Sequence, residues 1–199
     1  MGGIEYKVVD YYSNPVTGYQ GTAYQRLDTN EVVIASRGTE PSGGTVQDAL
    51  ADLGMIVTGF NAQLPDARAF AKRVQENVDA TAARKGIPLP TITATGHSLG
   101  GALTEALAYE NHWHGETFNG FGAVDLQYNI PEGGAQVINH VRVTDVVGAA
   151  NRHFGEVRYY ATQEDIEALN TAGYTNATTG ATAGAAHATR STTTRPTTT

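Results

Sequence analysis

The stretch Thr95-Gly96-His97-Ser98-Leu99-Gly100-Gly101 is the one from which the fold of this 199-residue chain is read. Residues 90–95 before it form a short apolar and β-branched run, which predicts a strand. Residues 100–110 after it are rich in Ala and Leu, which predicts a helix. Between them, Gly96-His97-Ser98-Leu99-Gly100 fits the Gly-x-Ser-x-Gly pattern of a sharp strand-to-helix turn carrying a nucleophilic serine. So tight a turn leaves no room for a Cβ two residues either side of the serine, and Gly101 and Ala102 allow close packing of the helix on its sheet. The helix N-terminus supplies backbone N–H donors toward a developing oxyanion, that of Leu99 among them. A glycine-rich helix start whose serine is only a cap fits the same five residues. The strand before and the helix after favour the nucleophile.

Outward from this turn, residues 31–36 (Glu-Val-Val-Ile-Ala-Ser) predict a buried strand, and residues 19–27 an antiparallel partner across the turn Asp28-Thr29-Asn30. Between residues 65 and 85 the apolar positions Ala67, Phe70, Ala71, Val74, Val78 and Ala82 recur at three- and four-residue intervals. That spacing predicts a helix with one buried stripe, started near Pro65-Asp66 and stopped at Gly86. Residues 116–121, 137–143 and 156–160 are three further strands by the same reading. Strands alternating with helices imply right-handed crossovers, hence an α/β fold with a mostly parallel sheet and helices on both faces. A single domain over residues 1–190 is expected, followed by a Thr-rich tail over 191–199.

Composition narrows the partners. The formal charge of -7 opposes nucleic acid, whose phosphates need a basic footprint, and leaves only brief hydrophobic contact with a lipid interface open. With no cysteine there is no disulfide, thiol nucleophile or Cys-ligated metal. No apolar run reaches signal-peptide or membrane-spanning length, so a soluble protein is expected, cytoplasmic or exported by another route. His112-x-His114 lacks a third ligand, and no phosphate loop or dinucleotide fingerprint occurs, so neither metal nor cofactor is expected. Oligomeric state is open.

Several of these segments, in order, resemble the class 3 lipases, the family of the filamentous-fungal triacylglycerol lipases. Ala35-Ser36-Arg37-Gly38-Thr39 is similar to that family's Phe-Arg-Gly-Ser/Thr segment, and residues 48–53 to the Asn-Trp stretch that follows it. Residues 95–103 resemble its Gly-His-Ser-Leu-Gly-Gly-Ala-Leu turn, Thr144-Asp145-Val146-Val147 its Asn-Asp-x-Val, and residues 153–157 its His-x-Gly-x-Glu strand start. The resemblance covers roughly residues 20 to 160 and implies an α/β-hydrolase-like fold in a short, bacterial-type member. Ser36 stands where the family has Phe, Ala49 where it has the Trp of the lid hinge, and Val57-Thr58-Gly59-Phe60 is a reduced version of another family segment. An abbreviated lid and acyl groove follow from these departures.

A serine hydroxyl needs a base within hydrogen-bond reach, oriented in turn by a carboxylate, and in α/β-hydrolases the chain order is Ser, acid, His. Asp145 follows the strand at 137–143 and lies on the same sheet rim as Ser98; the resemblance gives it the acid role, with Asp125 as runner-up. Only His153 and His187 follow Asp145. His153 matches a non-catalytic family position, whereas His187 falls in the loop after the last strand, where the family carries its catalytic histidine. His187 is therefore the expected base and His153 the alternative. Leu99 from the turn and Thr39 from the loop after the strand ending at Ser36 are the expected oxyanion donors. Arg37 is expected to hold that loop rather than touch substrate. By resemblance the reaction is hydrolysis of a lipid carboxylic ester, of lipase or phospholipase A type. A small-ester carboxylesterase, a phospholipase effector or toxin domain, and a hydrolase-like binding module without turnover are the other readings.

Overall fold

The structure is a computed structural model that describes residues 3–38, 53–145 and 147–173, with the side chains of residues 53–56 left aside. Its elements run β1 (Tyr6–Ser13), β2 (Gln20–Arg26), β3 (Val32–Ser36), α1 (Leu53–Lys85), β4 (Ile92–Ser98), α2 (Leu99–Asn111), β5 (His114–Gly120), β6 (Gly133–Arg142), β7 (Phe154–Tyr160) and α3 (Gln163–Thr171). The seven strands of the described residues make one sheet in which spatial order equals chain order. The pairings β1–β2 and β2–β3 are antiparallel, and the four from β3 to β7 are parallel. The architecture is α/β-hydrolase-like, with a mostly parallel sheet as the alternation of elements implied.

A strand order that never reverses has a geometric consequence. Right-handed crossovers that always advance in one direction must all pass over the same face. Accordingly α1 and α2 pack against each other and share one face. The core lies there: Ile34, Phe60, Leu64, Phe70, Leu103, Leu107 and Val137 are all buried in one cluster. The loops β5–β6 and β6–β7 contribute Phe121, Leu126, Ile130 and Val147 to the same cluster. Helix α3 instead sits at the carboxyl ends of β6 and β7, where Leu169 packs with Val143, Tyr159 and Ala161. On the opposite face of β3 to β6, residues Val33, Ala35, Thr93, Thr95, Glu116, Phe118, Ile138 and His140 all stay partly or fully accessible among the described residues.

Three elements, α1, β1 and α3, differ from the expectation. Helix α1 starts twelve residues before Pro65 and runs through it. An internal proline removes one helical hydrogen bond and costs about 3 kcal/mol. Burying Phe60 and Leu64, each at about 1.5–3 kcal/mol, on the stripe that continues to Ala67 and Phe70 offsets that cost. Strand β1 was not expected. As a sheet edge, with a register shift between Val8 and Asp10, it buries none of its side chains and so carries no alternation to read. None of the described helices is long and apolar enough to cross a membrane.

Candidate active site

Ser98 ends β4 and caps α2 with φ 56° and ψ -128°. An L-residue in that backbone region is strained, and residues held so cluster where a side chain must be aimed. The strain is enforced by packing. A Cβ at Gly96 would overlap the Gly100 carbonyl, one at Gly100 would overlap that of Ser36, and one at Gly101 would lie 2.5 Å from Gly120 Cα. These contacts clamp the turn between β3, α2 and the end of β5, and the Phe121 N–H donates to the Ser98 carbonyl at 3.0 Å. The Ser98 side chain makes no capping hydrogen bond, which sets aside the reading of this serine as a cap. Ser98 itself is half-buried. Leu99 opens α2, so its N–H has no acceptor within the helix and points out of the N-terminus.

The loop after β3 runs directly against this turn. A Cβ at Gly38 would sit 2.7 Å from the His97 carbonyl and 3.1 Å from Ser98 Cβ, so Gly38 lets the two segments touch. Arg37 anchors the loop by its N–H to the Gln20 carbonyl and its guanidinium to Gln20 Oε1. Thr39, the next residue and an expected oxyanion donor, lies outside the described residues, as does His187, the expected base.

Asp145 follows β6 at its carboxyl end, half-buried, two strands along the same edge from the end of β4. Two inter-strand spacings are roughly 10 Å, a gap that an imidazole between the two residues can span. Asp145 Oδ1 accepts N–H bonds from Val147 at 3.0 Å and Gly148 at 2.9 Å. Among the described residues Oδ2 accepts none. The runner-up acid is otherwise engaged: both oxygens of Asp125 hold the Arg152 guanidinium at the surface, and that ion pair lowers the Asp125 pKa.

The alternative base is also committed elsewhere. His153 is buried, its Nε2 donates to the Gly148 carbonyl at 2.8 Å, and its Nδ1 lies 2.7 Å from Glu105 Oε1. With both ring nitrogens bonded inside the core, His153 has no lone pair to offer Ser98. Burial lowers its pKa but the Glu105 carboxylate more than reverses that, leaving it raised; burial likewise raises that of Glu105. Among the remaining histidines, His97 and His114 are exposed, His112 closes α2 in a left-handed conformation, and His140 bonds Glu116 and Tyr160 on the open sheet face. Glu105 was not singled out from the sequence. Its only signal is a carboxylate inside the otherwise uncharged run Ala102–Ala108.

Residues 6–127 match the family model described as a domain of unknown function, DUF6792. No curated protein matches the chain. Among solved structures, a lipase from Rhizopus microsporus var. chinensis aligns with a TM-score of 0.50 at 16% identity, over 73% of this chain and 56% of its own. The native Rhizomucor miehei lipase propeptide complex aligns at 0.50 and 14%, over 72% and 51%. A triacylglycerol lipase from Penicillium expansum aligns at 0.51 and 19%, over 81% and 72%. The chain thus spans about half the length of the first two. At such identities the likeness is one of fold.

Proposed function

The chain belongs to the DUF6792 family, and from that premise we propose that it is a serine ester hydrolase acting on lipid carboxylic esters, of lipase or phospholipase A type. The single observation that carries this reading is the backbone of Ser98, held at φ 56° between a strand and a helix with its hydroxyl uncapped. The fold shared with fungal lipases supports the ester as substrate class.

In the proposed reaction Ser98 Oγ attacks the ester carbonyl carbon while His187 takes its proton. Asp145 orients the imidazole and stabilises the imidazolium, and the N–H groups of Thr39 and Leu99 hold the oxyanion. Collapse breaks the bond to the alcohol, which leaves with the proton from His187, and the acyl group stays on Ser98. A water deprotonated by His187 then attacks the acyl-enzyme, releasing the carboxylic acid and restoring the serine.

The test is covalent labelling with a fluorophosphonate, together with hydrolysis of p-nitrophenyl esters of graded acyl length and of phosphatidylcholine vesicles. Wild-type chain should label and turn over; Ser98→Ala should do neither. Equal labelling of the two, or equal turnover, overturns the proposal. Preference for short soluble esters selects the carboxylesterase reading, and absence of turnover in a folded chain the binding-module reading.

A further inference from the structure

Resting on that reading, we propose that Glu105 and His153 act as positioning residues: a buried strut that sets the Asp145 carboxylate against the helix that carries Ser98. The path is continuous. Glu105 lies on α2, seven residues beyond Ser98, with its side chain fully buried. Its Oε2 accepts the N–H of Ala123 at 2.7 Å and that of Phe154 at 3.1 Å, which ties α2 to the β5–β6 loop and to the start of β7. Its Oε1 meets His153 Nδ1 at 2.7 Å, and His153 Nε2 donates to the Gly148 carbonyl at 2.8 Å. The N–H of the same Gly148 donates to Asp145 Oδ1 at 2.9 Å. Gly148 packs directly on β6 and no larger residue fits there, because a Cβ would lie 2.6 Å from Val141 Cγ1. One glycine, pressed on β6, is therefore gripped by His153 through its carbonyl and grips Asp145 through its amide.

Chemistry accounts for the pairing. A carbonyl only accepts, so Nε2 must carry a hydrogen, and the Nδ1···Oε1 bond must hold one more proton. A carboxyl and an imidazole sharing that proton satisfy every polar atom of the strut. Well-packed apolar side chains would fill the same space without the desolvation of two ionisable groups. What they could not do is hold a glycine carbonyl at fixed height. The strut is thus fitted to position rather than to stability alone.

The experiment is steady-state hydrolysis of p-nitrophenyl butyrate by the full chain carrying His153→Ala or Glu105→Gln, in Asp145 and Asp145→Ala backgrounds. Misplacing a catalytic group by about 1 Å costs up to ~10²-fold, so His153→Ala should lower kcat by about ten- to a hundredfold at unchanged KM. In the Asp145→Ala background it should lower the residual rate little further, because the strut acts through that carboxylate. Glu105→Gln should stay close to wild type, since the amide oxygen accepts the two backbone N–H groups and its NH2 donates to Nδ1. His153→Phe, which fills the space without a donor, carries the same expectation should the alanine variant not fold. Folded His153→Ala or His153→Phe protein at full kcat overturns the strut, as does an equal loss in both backgrounds. A loss as large as that of Ser98→Ala overturns it too and makes His153 the base. Failure of the hydrolase reading is distinct: wild type would then show no turnover, or Ser98→Ala would keep it in full. The strut would still be tested by hydrogen exchange at the Gly148 amide, slow in wild type and fast in His153→Ala; equal exchange in the two would refute it.

Discussion

At the scale of single residues, the conformation of Ser98 separates chemistry from stability. Positive φ at a residue with a Cβ costs on the order of 1–3 kcal/mol, which the packing of three glycines imposes here. Ser98→Ala removes the proposed nucleophile and keeps the strain, so ester turnover should fall roughly 10³–10⁶-fold with little change in melting temperature. Ser98→Gly removes both, and should melt higher than Ser98→Ala by about 1 kcal/mol equivalent while being equally inactive; calorimetry of the two variants decides it. If the glycine variant is the less stable, the turn is not strained. The base is probed by truncation. A chain ending at Gly184 should lose turnover and one ending at Arg190 should retain it, as measured with p-nitrophenyl butyrate; full activity in the shorter chain would remove His187 from the reaction. The turn at Ser98 was legible from sequence because a turn this tight demands glycines at fixed offsets. Glu105 was not, since its meaning depends on His153 and Phe154, nearly fifty residues away, and no local pattern encodes that contact.

Elements were legible where burial imposes a period. Strands β3 to β6 bury alternate residues and helix α2 buries its first ten, and so they declare themselves, whereas β1 is an edge and α3 has only Leu169 as a buried apolar residue. Helix α3 had a different signal, the capping box in which Thr162 and Asp165 satisfy each other's backbone N–H groups. The proline in α1 misled because it resembles a helix start at Pro65, and the burial of Phe60 and Leu64 upstream overrode it. Two outcomes belong to this scale. Gly100→Ala would drive a Cβ into the Ser36 carbonyl, and backbone on both sides cannot yield cheaply, so a loss of at least about 1–3 kcal/mol is expected in denaturant titration. Asp165 is held well below the usual carboxylate range by Arg142, helped by the Thr162 backbone and Thr144. A depressed carboxyl contributes stability that is complete above its unfolded value near ~3.9 and is lost as pH falls through the folded one. Asp165→Asn should therefore flatten the acid limb of stability against pH; an unchanged limb would show that α3 melts independently of this pair.

For the molecule as a whole, the buried Glu105–His153 pair predicts an alkaline weakness. His153 holds its proton more tightly folded than unfolded, so its contribution is complete below the unfolded value near ~6.5 and declines as pH rises through the folded one. Melting temperature should fall on that side in wild type, and more gently in Glu105→Gln; parallel curves would contradict the shared proton. The monotonic strand order carries a further consequence, for the way the chain is built. Each strand leaving the ribosome finds its neighbour already in place, so the sheet grows by accretion from one edge to the other. The serine turn, at the junction of β4 and α2, is finished while the loop that carries Asp145 is still unmade. Nascent chains stalled beyond Asn111 should already protect β3 and β4 from proteolysis. The first and last strands end up six spacings apart, roughly 29 Å, so the edge laid down first never meets the edge laid down last.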